Sequence, residues 1–213
     1  MVDRRLVQII NHPRGVAPNV MKQSQWSLLT LLLLFTVLTA HAASKKVVVK
    51  QPGTLLQSLS ANHLKRISRL TVEGTLDAND FEAIRLMAST KAKDGKPGTL
   101  RSLDLSKARL QVDYRNLPDS LLAHCDVLTD LALPDSLFSI GYSSFEGCTS
   151  LKRITFHNVF YVPYTLFHDL PSLEAVTFKG RVWHIDGTPF LNLPKLQRVT
   201  FGSTVVRTGG PLL

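Results

Sequence analysis

One pattern of apolar positions recurs along most of the chain. A leucine or isoleucine is followed three positions later by an aliphatic residue, and two positions after that by another apolar residue. The copies that begin at residues 128, 151, 173 and 196 follow one another at intervals of 23, 22 and 23 residues, and further copies begin at Leu100 and Ile67. Repeats of about 20–29 residues that each contain one short apolar strand predict a leucine-rich solenoid.

A second set of apolar positions precedes each strand, at a spacing of three. A spacing of three predicts a short helical or 3₁₀ turn with one inward face. The members are Leu122, Cys125 and Leu128; Phe145, Cys148 and Leu151; Phe167, Leu170 and Leu173; and Phe190, Leu193 and Leu196. The predicted fold is therefore an α/β solenoid in which each 22–23-residue repeat supplies one short parallel strand, a turn and a helical turn.

The repeat is broken over residues 73–99. Asn79 followed by Glu82 predicts a helix N-terminus, and Phe81, Ile84 and Met87 continue one apolar face. Residues 91–98, with three lysines and two glycines, predict a basic loop. We interpret residues 43–99 as an N-terminal helical cap with the first repeat, and residues 100–213 as leucine-rich repeats with an open or degenerate C-terminal end.

The first 42 residues predict export. Lys22 precedes the apolar run Trp26–Ala40, and the small-x-small sequence Ala40-His41-Ala42 follows it, which is the order of a secretory signal peptide. Cleavage is expected after Ala42, and Met21 would be a more ordinary start than Met1. The competing interpretation is a membrane anchor, but the dense apolar run is shorter than the about 20 residues that a spanning helix needs.

Charge and composition narrow the partners. The chain has 25 Lys+Arg against 16 Asp+Glu, a net charge of +9. Removing residues 1–42 leaves 21 basic and 15 acidic residues, a net charge of +6. Three of the lysines, at 45, 46 and 50, are expected in a frayed new N-terminus. A moderate, scattered basic excess on an exported chain argues against a nucleic-acid partner.

The two cysteines, Cys125 and Cys148, occupy the same position in successive repeats. Stacking would place them on neighbouring coils, and export permits a disulfide. Two buried free thiols that replace the leucine of later repeats are the preferred interpretation, because neighbouring coils seldom offer disulfide geometry.

The segments Ile140–Phe156 and Asp186–Phe201 carry a resemblance. The first reads IGYSSFEGCTSLKRITF, which resembles the repeat I-G-x-x-A-F-x-x-C-x-x-L-x-x-I-x-[IF] of the BspA-like leucine-rich repeat family. Leu70–Phe81, followed by Leu103-Asp104-Leu105, is similar to the N-terminal cap of such proteins in host-associated bacteria. The resemblance covers about residues 55–205. It implies an exported surface protein that binds proteins or cells, with adhesion the usual suggestion, and it carries no catalytic residues.

The sequence contains no pattern of catalytic or metal-ligating residues. The histidines at 124, 157, 168 and 184 lack paired ligand spacing, and the chain has no nucleophile elbow, P-loop or dinucleotide fingerprint. We therefore expect no enzymatic activity and no cofactor.

The outward residues of the predicted strands form the candidate binding face. In every strand, alternate residues point away from the core. Four threonines, at 71, 155, 177 and 200, would form a column whose simpler explanation is strand propensity. The candidate site comprises Arg153, Thr155, His157, Thr177, Lys179, Arg198 and Thr200.

This basic stripe would suit an acidic host or envelope protein or an anionic glycan, although an ordinary solvated face explains it as well. Tyr161, Tyr164 and Trp183 either add to a protein or sugar contact or pack between coils. The alternative function is a scaffold that assembles with other chains.

Overall fold

The computed structural model describes residues 43–60, 64, 66–91, 97–111, 117–190, 192–203 and 205–210. The predicted signal peptide and most of the predicted loop at 91–98 lie outside these residues. The described elements, in chain order, are β1 (Ala43–Val49), β2 (Ile67–Leu76), α1 (Ala78–Ala88), β3 (Ser102–Leu110), β4 (Asp130–Ala132), β5 (Ser136–Ser139), β6 (Arg153–Phe156), β7 (Asn158–Val162), β8 (Ala175–Phe178), β9 (Val182–Ile185), β10 (Arg198–Phe201) and β11 (Val205–Thr208).

The strands form two parallel sheets. The larger has seven strands in the order β1-β2-β3-β4-β6-β8-β10, and the smaller has four in the order β5-β7-β9-β11. The prediction of a parallel solenoid is confirmed. The expectation of one strand per repeat is wrong, because each coil from β4 onward supplies one strand to each sheet.

The predicted helical or 3₁₀ turn before each large-sheet strand is found only as single turns closed by hydrogen bonds between residues three apart, and no continuous helix forms there. Examples are the turns closed by Cys148 N to Phe145 O and by Leu151 N to Cys148 O, both 3.0 Å. One residue in each of these turns has positive φ, which interrupts a helix. They are His124 (φ 61°), Gly147 (φ 71°), Asp169 (φ 56°) and Asn192 (φ 61°). At Gly147 a side chain is also excluded by space, because a Cβ would lie 2.4 Å from His124 Nδ1.

The core is a stack of inward side chains. Phe156, Phe178 and Phe201 stack on one another with ring centroids 4.8 and 5.1 Å apart. Phe167 and Phe190 form a parallel stack at 5.1 Å, and Phe167 meets Phe156 edge-on at 6.0 Å. Each coil thus buries its apolar face against the next, as a repeat that cannot fold alone must.

Both cysteines are free and buried, as preferred from the sequence. The Cys148 thiol donates to Leu122 O at 3.1 Å. The hydrogen bond between the two thiols, reinforced by burial, raises the pKa of Cys125 well above its ordinary value.

The helix begins two residues earlier than predicted. Asp77, not Asn79, is the N-cap, and Asp80 rather than Glu82 completes the capping box. Helix α1 returns the chain from β2 to β3, while β1 is the edge strand of the large sheet. The expectation that this helix shields the end of the solenoid is therefore not confirmed.

The expectation of a frayed segment after residue 42 is wrong. Ala43–Val49 forms β1, which pairs in parallel with β2. Lys46 Nζ lies 3.0 Å from Glu73 Oε1, and Lys107 Nζ lies 3.4 Å from the same oxygen. These cations hold the pKa of Glu73 below its ordinary value, chiefly through the hydrogen bond from Lys46. The alternation of apolar Val47 and Val49 inward explains why the segment joins the sheet.

Candidate functional site

The outward side chains of the large sheet lie in two rows, which we call the polar face and which contain most of the residues of the predicted binding face. Strand register places the members of each row side by side. The first row is Arg69, Ser102, Asp130, Arg153, Ala175 and Arg198; the second is Thr71, Asp104, Ala132, Thr155, Thr177 and Thr200. The predicted threonine column is confirmed, with Asp104 and Ala132 between Thr71 and the other three.

Arg153 is already bound within its row. Its Nε donates to Asp130 Oδ1, and this hydrogen bond, with the carboxylate charge, raises the pKa of Arg153. Beside it, Lys152 pairs with Glu174 at 3.1 Å. The stripe is therefore less basic than the sequence indicates.

The remaining predicted residues differ in their availability. His157 follows β6 directly and is half-buried, with Nδ1 3.3 Å from Leu133 O. Thr155 and Thr177 are half-buried, and Thr200 is exposed.

Lys179 and Arg198 are exposed and form no ion pair with any residue that the structure describes. Arg69, at the other end of the first row, is also exposed and forms no ion pair among the described residues, so a ligand can reach Arg69, Lys179 and Arg198 on this side of the large sheet.

The small sheet presents a different surface, which the sequence reasoning missed. Phe138, Phe160, Trp183 and Val206 occupy equivalent outward positions on β5, β7, β9 and β11, and we call this row the aromatic ridge. Phe138 stacks on Phe160 with centroids 4.6 Å apart, and Phe160 stacks on Trp183 at 5.5 Å. The exposed fractions along the row are 49%, 40%, 43% and 49%.

A second outward row runs beside the aromatic ridge. It consists of Ser139, Tyr161, His184 and Arg207. Tyr161 stacks on His184 at 5.5 Å, and its hydroxyl donates to Asp186 Oδ2 at 2.9 Å. Partial burial and this hydrogen bond raise the pKa of Tyr161 to about 12, and the nearby hydroxyls of Tyr142 and Tyr164 add to the shift.

The sequence held a signal for the ridge. Residues 138, 160, 183 and 206 are spaced by 22, 23 and 23, the interval of the repeat itself. The four-residue segments starting there read FSIG, FYVP, WHID and VRTG, so an aromatic residue precedes the inward aliphatic residue by two positions in three successive repeats. Of the three aromatic residues singled out in the sequence, Tyr161 and Trp183 do pack between coils, on His184 and Phe160, whereas Trp183 and Tyr164 also remain exposed.

The polar face and the aromatic ridge present hydroxyls, charges and apolar rings to a partner. No group of three or more histidine, cysteine or carboxylate side chains converges within the described part of the chain. A groove of about 350 Å³ lies between α1 and the following turns, but Arg85 within it is bound to Glu82 and to Leu121 O. Both thiols are buried.

Comparison with known families adds to this picture. Residues 100–210, more than half of the chain, match the BspA type leucine rich repeat region in six copies. The chain belongs to the BspA-type leucine-rich repeat family. BspA-type repeats are associated with protein interaction and are typical of surface proteins. No curated protein matches the chain. Among the described residues, no helix is both long and apolar enough to cross a membrane.

Proposed function

We propose that this BspA-type chain is exported and acts as a non-enzymatic, adhesin-like binding module at the cell surface. It recognises an acidic protein or an anionic glycan through the polar face. The observation that carries the proposal is a pair of exposed cations, Lys179 and Arg198, which form no ion pair among the described residues and lie beside the adjacent threonines 155, 177 and 200.

The geometry favours binding of an extended anionic partner. Neighbouring strands lie about 4.8 Å apart, so each coil offers the ligand one further hydroxyl or cation at a regular interval. The backbone beneath is fixed by parallel ladders and a stacked core, which reduces the entropy lost when a ligand binds.

A charge-reversal experiment tests the proposal. Residues 43–213 are passed over an immobilised sulfated polysaccharide and, separately, an immobilised polyglutamate. We expect Lys179→Glu with Arg198→Glu to weaken retention on at least one resin about tenfold. Arg153→Glu is expected to have a smaller effect because Asp130 already occupies that guanidinium.

The matched control carries the same charge change elsewhere. Lys91→Glu with Arg109→Glu reverses two exposed cations that are outside the candidate site. Equal retention of both double variants would remove the polar face from consideration, as would a wild-type protein that neither resin retains at low salt.

Export has a separate test. N-terminal sequencing of the mature protein from the producing cell is expected to begin at Ala43. A protein that retains residues 26–40 would instead support the membrane-anchor alternative.

A scaffold that assembles with other chains is the second candidate function. The specific observation in its favour is the aromatic ridge, because contiguous exposed apolar surface on a folded domain marks interaction sites.

A further inference from the structure

The aromatic ridge leaves three aromatic rings and Val206 exposed to solvent. Single exposed apolar residues are ordinary, but four in one row on consecutive strands form a continuous apolar strip. Phe160 is central, with Phe138 on one side and Trp183 on the other. A continuous exposed strip of this kind indicates that a binding partner covers it.

Ring orientation limits the chemistry of that occupant. The planes of Phe138 and Phe160 differ by 8°, and those of Phe160 and Trp183 by 11°. Both faces of Phe160 are therefore covered by its neighbours, and the ridge presents ring edges outward. Sugars stack on open aromatic faces, whereas ring edges pack against other apolar side chains. The ridge fits a protein surface better than a glycan.

The charges beside the ridge are self-complementary. Asn158, on the central strand β7, accepts at Oδ1 from Arg181 N at 3.1 Å and donates from its own N to Asp135 O at 3.0 Å. Asp135 and Arg181 therefore flank the central coil at the same end of their strands, one with an exposed acid and the other with an exposed base. Neither side chain forms an ion pair within the described residues.

We propose that the occupant of the aromatic ridge is a second copy of this chain. A two-fold axis parallel to the strands, passing over Phe160, reverses the order of coils and keeps the strand direction. It places Phe138 against the partner's Trp183, and Phe160 against the partner's Phe160. Asp135 then faces the partner's Arg181, and the same pair forms a second time by symmetry.

The available area fits a weak dimer. With about 200 Å² for a whole aromatic side chain, the exposed fractions of the three rings, of Val206, and of Tyr142 (58%) and Tyr164 (52%) amount to about 500 Å² per copy. The dimer would bury about 1,000 Å² in total, the lower limit for a specific interface. We expect a dissociation constant in the micromolar range.

The dimer does not rest on the proposed function of the polar face. The ridge and the polar face lie on different sheets, so the dimer leaves both polar faces free. A dimer with two such faces gains avidity on a repetitive surface ligand. Failure of retention on anionic resins leaves the dimer intact, and failure of the dimer leaves that retention intact.

Sedimentation velocity over a range of concentrations tests the proposal. Residues 43–213 are suitable because Ala42–Leu213 is a compact unit and contains all the buried core residues that the structure describes. We expect a monomer at low concentration and a dimer at high concentration. Phe160→Thr, which keeps strand propensity, is expected to raise the dissociation constant about tenfold or more, since the residue faces itself across the axis. Leu86→Gln, at an exposed leucine on α1, is the control and leaves it unchanged.

Exchanging the charges of Asp135 and Arg181 tests the two-fold arrangement of the dimer. Asp135→Arg and Arg181→Asp are each expected to weaken the dimer, because each places like charges together twice. The variant that combines them is expected to return to within about threefold of the wild type. A monomer at every concentration overturns the proposal, as does a dimer that Phe160→Thr leaves intact. Failure of the combined variant to recover overturns the two-fold arrangement.

Discussion

The two sheets of this solenoid are built by the same coils and differ mainly on their outer faces. Inward positions are apolar in both, such as Ile154 and Phe156 on β6 and Val159 and Val162 on β7. The outward rows of the large sheet consist of threonines, charged residues and small side chains, whereas one outward row of the small sheet contains three stacked aromatic rings. The repeat therefore specifies the core twice per coil and leaves the two outer faces free to differ.

Residues recur at regular intervals on both the inward and the outward positions of the coils, but for different reasons. An inward position must match the coils above and below it, because neighbouring side chains pack against it. An outward position has no such requirement, so an aromatic row at one outward position is not explained by packing of the core. A residue type that recurs at inward positions is therefore explained by the fold, whereas an apolar residue type that recurs at an outward position indicates contact with a partner.

The largest expected effect compares two phenylalanines of one coil, four residues apart. Phe156→Ala removes a ring that is 1% exposed and is expected to lower the free energy of unfolding by about 3–5 kcal/mol. Phe160→Ala removes a ring that is 40% exposed, and the expected loss is about 1 kcal/mol or less. Urea unfolding in dilute solution measures both. Similar losses would show that the outer row is part of the core after all.

The next effect concerns the coil where α1 replaces a small-sheet strand. Asp80, 1% exposed, accepts backbone hydrogen bonds from Gly53 N and Leu55 N, both at 2.8 Å, and from Asp77 N at 3.0 Å. Asp80→Ala leaves these donors without their acceptor, with an expected cost of about 2–4 kcal/mol.

Asp77→Asn is the matched control, since asparagine is an equally good N-cap, and the expected cost is about 0.5 kcal/mol or less. Hydrogen exchange of Gly53 and Leu55 amides checks the location of the effect. Unchanged protection in Asp80→Ala would show that the edge coil is held by its apolar contacts alone.

The sequence predicts the inward half of this molecule well. Repeat spacing and the positions of Leu151, Phe156 and Phe167 identify core residues, because burial imposes a period that a single sequence displays. The small-sheet strands escape the same reasoning, since Val159 and Val162 are separated by two outward residues instead of one. A strand whose inward positions are three apart does not show the alternation that identifies strands.

The candidate site is less predictable than the core. The sequence places Arg153 on the correct face, but its pairing with Asp130 depends on strand register, and those residues are 23 positions apart. The position of the capping box is mispredicted for a similar reason. Both Asp77 and Asn79 are good N-cap residues, and Asp77 is favoured only because Asp80 accepts hydrogen bonds from the distant Gly53 and Leu55.

The buried thiols of Cys125 and Cys148 report whether the inward rows are closed to solvent. The pKa of Cys125 is raised in the folded state, first by its hydrogen bond with Cys148 and then by burial. A raised thiol pKa contributes stability below the ordinary pKa of 9.0, and this contribution is lost as pH rises from that value towards the folded pKa. We expect Cys125→Ala to be less stable than wild type near neutral pH, with a smaller difference above pH 9.0.

A second measurement on the thiols uses their reactivity. Because both thiols are buried, both cysteines are expected to resist alkylation in native buffer and to react fully in denaturant. Rapid native labelling of Cys125 would contradict the buried, hydrogen-bonded arrangement.

The smallest expected effect on stability lies on the polar face. Asp130→Asn removes the charge that holds Arg153, and exposed pairs of this kind contribute about 1 kcal/mol or less. Binding is expected to become stronger, because a freed Arg153 adds one available cation to Lys179 and Arg198 on the later coils. We therefore expect stronger retention on the anionic resins, in a variant whose urea midpoint is nearly unchanged. Arg153→Gln in the Asp130→Asn background should abolish the gain. A gain that persists in that double variant would mean that removing a negative charge from the face, and not freeing Arg153, strengthens binding.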